Sequence, residues 1–319
     1  MMNTRSIKYA IGLDLGGTNL KYGIVSDDGG IIFFSSVAVE TEKGKNHILD
    51  LMIQSIKECQ TFSGQNNIII TAVGIGCPGS IDSDRGVSLG PTPHIPDWTN
   101  VAIKSIIQGT VGLPVRVNND AKLMAYGEYR RGAGQGYRCV VGITLGTGIG
   151  GGIVIHGEIL SGSSFNAAEF GHMTVEANGR LCACGNRGCL ERYAGGKFMI
   201  RDYLEAIRRH AASSEEYTKT LTVKNIFDAW RNGDRVAADI IANAAGYLGS
   251  GIANIAHTIN PDIMVIGGGI SEAGDDYLAL IRQAAEGRVM ASARKNMKIV
   301  KAKYGYRAGL VGAALWAIE

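Results

Sequence analysis

The apolar positions of this chain follow two periods that alternate along its length. Tyr9 to Leu15 is an apolar run that stops at a glycine turn, Gly16-Gly17, and a second run follows from Tyr22 to Val25. The turn signal Asp27-Asp28-Gly29-Gly30 then precedes a third strand-like run, Ile31 to Val39. The period changes at Ile48, Leu49, Met52, Ile53 and Ile56, which share one face of a helix. Ile68-Ile69-Ile70 leads into Val73 to Gly76, a solidly apolar stretch that reads as a buried strand. Val101, Ile103, Ile106 and Ile107 mark a second helix, Pro114 to Val117 a short strand, and Ala121 to Arg130 a third helix. Strands alternating with helices predict an α/β architecture.

The opening pattern returns once. The run from Ile11, IGLDLGGTNLKYGIV, matches the run from Val141, VGITLGTGIGGGIVI, with Gly12 on Gly142, Leu15 on Leu145 and Gly16 on Gly146. Each copy is an apolar strand, a glycine turn with a threonine, and a returning strand. The repeat predicts a duplicated α/β domain whose two glycine turns face one cleft. Beyond it the chain is mainly helical, over Phe198 to Ala211, Val236 to His257, Tyr277 to Ala285 and Gly309 to Ile318. Strands are expected at Ile263 to Ile266, before Gly267-Gly268-Gly269, and near Met297 to Ala302.

Composition changes this picture little. Of 319 residues, 45% are hydrophobic and 19% charged, enough to bury a core, and the net charge of +3 singles out no partner. Arg208-Arg209-His210 is the densest basic string, and it ends a predicted helix, where cations suit the helix dipole. Nucleic-acid binding is therefore not expected. No apolar stretch reaches the roughly 20 residues of a membrane span, and Met1 to Tyr9 lacks a signal-peptide core, so the expectation is a cytoplasmic chain with no membrane partner. Cys59, Cys77 and Cys139 are scattered, whereas Cys182, Cys184 and Cys189 crowd into eight residues, as metal ligands do in a reducing compartment.

Several glycine strings carry candidate chemistry. Gly74-x-Gly76-x-x-Gly79 and Gly146-x-Gly148-x-x-Gly151 both match the dinucleotide fingerprint. Both lack the helix that must follow it, since Ser80 to Ser83 reads as a turn and Gly152 to Ile155 as a strand. Gly195-Gly196-Lys197 is followed by Phe198 and is no Walker loop. The paired glycine hairpins offer another phosphate site, with backbone N–H groups open to phosphate oxygens, hydroxyls from Thr18 and Thr147, and charge from Lys21. Asp14 can hold Mg²⁺ there or stabilise the turn. In Asn118-Asn119-Asp120, Asp120 can cap the helix that follows or accept a proton from a substrate hydroxyl. His172 with Cys182, Cys184 and Cys189 forms a Cys₃His set, closed and therefore structural, flanked by Glu169 and Glu191.

With these residues in place, the chain resembles the ROK family of bacterial sugar kinases and repressors, within the actin–hexokinase superfamily. The resemblance runs from Asp14-Leu15-Gly16-Gly17-Thr18 to Gly309-Leu310-Val311-Gly312-Ala313-Ala314. Its most specific part is Glu169-Phe170-Gly171-His172 with Cys182-Ala183-Cys184-Gly185-Asn186-Arg187-Gly188-Cys189-Leu190-Glu191. It implies a two-lobed actin-like ATPase (ribonuclease H-like) fold with a duplicated domain and a cleft between lobes. The expected lobes are a smaller α/β lobe, 1–118 completed by 305–319, and a larger one, 119–304, carrying a zinc knuckle at 169–191. It also implies ATP-dependent phosphorylation of a free hexose on its 6-hydroxyl, most readily glucose. Asp120 would be the base, and Gly79, Thr92, Asn119, Glu169, His172 and Glu191 would contact the sugar. Gly16, Gly17, Thr18, Gly146, Thr147 and Gly148 would line the phosphates and Gly267 and Gly268 the adenosine. The same likeness implies Mg²⁺, a structural Zn²⁺ on His172, Cys182, Cys184 and Cys189, and a homodimer. His94 stands where glucose-phosphorylating members commonly carry Asn. Only about eight residues precede the first strand, so a DNA-reading module of the repressor kind is not expected.

Overall fold

The computed structural model describes residues 7–92, 95–210 and 221–319. His94 and Ala211 lie outside them. The contacts divide the chain into two units: residues 1–138, 152–168 and 307–319 form the first, and 139–151 with 169–306 the second.

The first unit opens with β1 (Tyr9–Leu15), β2 (Asn19–Ser26) and β3 (Ile31–Ala38), followed by helix α1 (Gly44–Gln65) and strand β4 (Ile70–Cys77). A two-residue pair, β5 (Ile81–Asp82) and β6 (Val87–Ser88), leads to α2 (Ile103–Val111), β7 (Val115–Asn119) and α3 (Asp120–Arg131). The second unit contains β8 (Cys139–Leu145). Strand β9 (Ile149–Ile155) passes from one unit to the other, and β10 (Glu158–Ile159) returns antiparallel on it. The second unit continues with α4 (Glu191–Ala194), α5 (Gly196–His210), α6 (Val223–Arg231), α7 (Arg235–Ile259), β11 (Ile263–Gly267), α8 (Asp275–Glu286), α9 (Ala291–Arg294) and β12 (Lys298–Lys301). The last helix, α10 (Ala308–Ile318), belongs to the first unit.

The expected duplication is visible in the strand order. One sheet runs β3-β2-β1-β4-β7 and the other β10-β9-β8-β11-β12, the same order with the later strands renumbered. In each, the strand of the repeated motif pairs in parallel with the next long strand, β1 with β4 and β8 with β11. Chance likeness between glycine hairpins would not reproduce three further strands.

Glycines set the packing of the first unit. Gly12 and Gly74 face each other across β1 and β4, and α10 lies directly on them. A Cβ on Gly12 would sit 2.2 Å from the Leu310 carbonyl oxygen, and one on Gly74 1.8 Å from that of Ala313. Gly127 of α3 meets Gly312 of α10 in the same way. Ten of the eleven residues of α10 are buried, so it shows no polar stripe. Its end is fixed by Arg116, whose guanidinium lies 3.8 Å over the Trp316 ring and donates to the Trp316 carbonyl at 2.6 Å.

This packing explains where the division departs from the lobes expected at 118/119. Helix α3 leaves β7 but packs on α10 and on β9, where Gly152 meets the Lys122 backbone and the Ala125 methyl, so it stays with the first unit. Other departures are local. Ser80 to Ser83 holds the short strand β5 instead of a plain turn. Ile69 is 80% exposed, and Ile106 also points outward from the face assigned to it. Helix α7 is long and apolar enough to cross a membrane by length and composition, against the expectation of no such stretch. Half of its apolar window is buried, and Gly249 fits it closely against Ala284 of α8, so it is the central helix of the second unit.

Replacing Gly74 with Ala should cost about 3 kcal/mol or more, because the clash is with helix backbone that cannot rotate away. Gly246→Ala, inside α7 with open space at its Cβ position, should instead stabilise by about 0.5–1 kcal/mol. Urea denaturation of the two variants checks both signs.

Candidate active site

In the first unit the candidate residues gather at the carboxyl ends of the parallel strands β1, β4 and β7, the edge at which open α/β sheets place ligands. Asp14 is one residue from the end of β1 and 8% exposed, with Oδ2 accepting from Lys21 Nζ at 2.8 Å. Lys21 is its cross-strand neighbour, so the expected phosphate-facing cation is engaged with the carboxylate. Its carboxyl carbon lies 2.8 Å from where a Cβ on Gly309 would be, so only glycine admits the acid beneath the start of α10. The Gly16 N–H closes the turn on the Asn19 carbonyl, and Gly17 and Thr18 are exposed at its tip.

At the end of β7 the two readings of Asp120 separate. Asn119 is the N-cap: its side chain accepts from the Lys122 N–H, and its Nδ2 donates to the Gly79 carbonyl at 3.2 Å. Asp120 is the first helical residue, and its Oδ1 accepts the Ala121 N–H. Capping therefore falls to Asn119, and the carboxylate of Asp120 is half-buried at the strand ends. Cys77, wholly buried at the end of β4, registers the charge there. Burial first, then the carboxylates of Asp120 and Asp14, hold its thiol far above the ordinary range. Gly79 has φ +84° and meets the Thr92 methyl, and the buried Thr92 hydroxyl has no partner among the described residues. Such an orphan is suited to a ligand hydroxyl.

The second unit holds the other candidates. Gly146-Thr147-Gly148 is a tight turn, its first N–H bonded to the Gly148 carbonyl, and the Thr144 hydroxyl accepts from the Gly150 N–H. Gly196 N–H and Lys197 N–H donate to the carbonyls of Gly146 and Thr147, which ties the start of α5 to the turn. The string Gly195-Gly196-Lys197 thus buttresses the turn at Gly146-Thr147-Gly148. The sequence carries no sign of this contact, because its partners, Gly146 and Thr147, lie far earlier in the chain. Gly268, at φ +86°, packs on the Leu145 backbone, so Gly267 and Gly268 lie beside the same turn.

His172, Cys182, Cys184 and Cys189 bring four donor atoms within 4.8 Å of one another. Cys184 and Cys189 sulfurs are 3.6 Å apart, and Cys182 Sγ lies 3.7 Å from His172 Nδ1. Metal–sulfur bonds of about 2.3 Å in a tetrahedron require edges of about 3.8 Å, so the donor set fits Zn²⁺. Burial pushes the Cys182 thiol up and Cys189 to about 12, while the Asn186 N–H pulls Cys184 down. Glu191 joins the cluster to the turn: Oε1 accepts from the Cys182 thiol at 3.4 Å, and Oε2 lies 2.8 Å from the Cβ position of Gly148. Glu169 is exposed, three residues before His172 on the same short turn.

A model of the ROK family matches residues 10–319. The chain belongs to the ROK family. Its relatives include the glucokinase of Thermotoga maritima, 37% identical over 95% of this chain and 95% of that one. The glucokinase of Streptomyces coelicolor is also 37% identical, over 97% of both chains. A solved ROK glucokinase from Streptomyces griseus, in complex with glucose and AMPPNP, superposes with a TM-score of 0.86 at 37% identity, covering 97% and 99% of the two chains. The fold is thus the actin-like ATPase fold of the ROK glucokinases, and the repeated β-sheets are its duplicated halves.

Asn119→Ala in this ROK protein should cost about 1 kcal/mol of stability, since it removes both the α3 cap and the tie to Gly79. Chemical denaturation of the variant against the parent measures it.

Proposed function

We propose that this chain is an ATP-dependent hexose kinase that transfers the γ-phosphate to the 6-hydroxyl of free glucose. The observation that carries the reading is Asp120. Its carboxylate stands at the carboxyl ends of the strands with the capping role taken by Asn119, in a chain of the ROK family. In phosphoryl transfer the protein positions the reactants and stabilises charge, and one carboxylate must receive the proton of the attacking hydroxyl. Asp120 is that base. Gly79, Thr92, Asn119, Glu169, His172 and Glu191 hold the sugar, the Thr92 hydroxyl bonding a sugar oxygen.

The turns at Gly16-Gly17-Thr18 and Gly146-Thr147-Gly148 offer N–H groups to ATP phosphates, and Gly267 and Gly268 leave room for the adenosine. Asp14 would hold Mg²⁺, which would neutralise phosphate charge when bound. The hydrogen bond from Lys21 Nζ orients that carboxylate. Zn²⁺ on His172, Cys182, Cys184 and Cys189 would be structural, since four protein donors leave no open position. We further read the enzyme as a cytoplasmic homodimer that binds neither nucleic acid nor membrane, with sedimentation velocity as the test of the dimer.

ADP release with Mg-ATP over glucose, mannose, fructose, allose, N-acetylglucosamine and N-acetylmannosamine should show the highest kcat/KM for glucose. Asp120→Asn should lower kcat by about a hundredfold or more and leave glucose affinity within a few-fold. Near-normal kcat would remove Asp120 as base. Purified protein should carry about one zinc per chain. Cys184→Ser should lose it and melt several degrees lower, as read by elemental analysis and calorimetry.

A further inference from the structure

Lys122 is the least expected side chain in the first unit. Only 2% exposed, it is one of the largest wholly buried side chains of the chain. It is the third residue of α3, where a cation meets the positive end of the helix dipole. Lysines are seldom buried unless something holds the ammonium. Here Nζ donates to the Phe165 carbonyl at 2.7 Å, and the Lys122 backbone lies against Gly152 of β9.

The loop it holds is strained. Phe165 has φ +60° and Ala168 φ +67°, a region that side chains other than glycine rarely adopt. Such residues persist where the surroundings over-determine them, and they cluster at functional sites. A second tie fixes the same loop, the side-chain hydrogen bond from Ser80 Oγ to Asn166 Oδ1. Ser80 follows Gly79, whose carbonyl takes the Asn119 amide. The first turn of α3 therefore carries three functions on four residues: Asn119 holds Gly79, Asp120 stands at the strand ends, and Lys122 holds the 161–168 loop.

We propose that Lys122 is a positioning residue of the hexose site, clamping the 161–168 loop as a preformed wall beside Asp120. This rests on the kinase reading above. A hexose that meets a fixed wall loses no affinity to ordering it, so the clamp acts on sugar binding and not on the phosphoryl donor.

The test measures glucose binding by calorimetry without nucleotide, KM for both substrates, and hydrogen exchange by mass spectrometry. Lys122→Met should raise the glucose Kd and KM about tenfold or more, leave KM for ATP within about twofold, and speed exchange in residues 161–168 but not in 308–318. Lys122→Arg should restore part of the glucose affinity. Glucose affinity within about twofold of the parent, or exchange that rises equally in both segments, overturns the clamp. Should Lys122→Met not fold, Ser80→Ala with Asn166→Ala removes the second tie and is read identically. Wild-type protein that binds no hexose overturns the kinase reading itself, a result separate from a glucose-binding enzyme indifferent to Lys122.

Discussion

The close approach of the C-terminal helix to the N-terminal sheet is the contact on which the rest of the first unit depends. Gly12, Gly74, Gly127 and Gly312 remove the side chains that would hold α10 away, so backbone lies on backbone. The result fixes three things together. It sets Asp14 beneath Gly309, it seats α3 through Gly127, and it thereby fixes the helix start at which Asp120 and Lys122 sit. Interiors packed at this density transmit small displacements, so the geometry of the carboxylates is decided by helix packing.

The two units carry complementary chemistry on a repeated topology. The first gathers acids at its strand ends, Asp14 held by Lys21 and Asp120 at the helix start. Burial first, and then these two carboxylates, hold the Cys77 thiol above its ordinary range. The second gathers donors: a glycine turn backed by Gly196 and Lys197, and a Cys₃His cluster joined to that turn through Glu191. Divergence after duplication is plain in the paired positions, for Asp14 of the first copy corresponds to Thr144 of the second. There a hydroxyl closes the turn instead of a carboxylate holding a cation.

Strain is distributed unevenly in the first unit. Positive φ at non-glycine residues recurs in the 161–168 loop, which is held by a buried lysine and a surface serine. A loop held by two ties in an unfavourable conformation is more ordered than its exposure suggests. Its order then depends on side chains distant in sequence, which is how a first helical turn at 119–122 governs a segment forty residues later.

The sequence by itself determined the strands, the duplication and the chemistry types. Strand β1 has the bounds expected from its apolar run, the Ile11 and Val141 repeats became corresponding strands, and the crowded cysteines became one cluster with His172. These are local or nearly local features, carried by periodicity and spacing. The short amphipathic helix α6 went unread, since its apolar residues are too few to set a period. Tertiary structure alone decided the rest. That α3 stays with the first unit depends on a helix nearly two hundred residues later. That Asn119 and not Asp120 caps α3 depends on which side chain reaches the Lys122 N–H. That Gly195-Gly196-Lys197 supports a turn, and that Lys122 is buried, depends on partners near 146 and 165. A single chain shows which residues are able to make such contacts. Only packing, where one added methyl group would meet a carbonyl at 2 Å or less, selects which contacts are made.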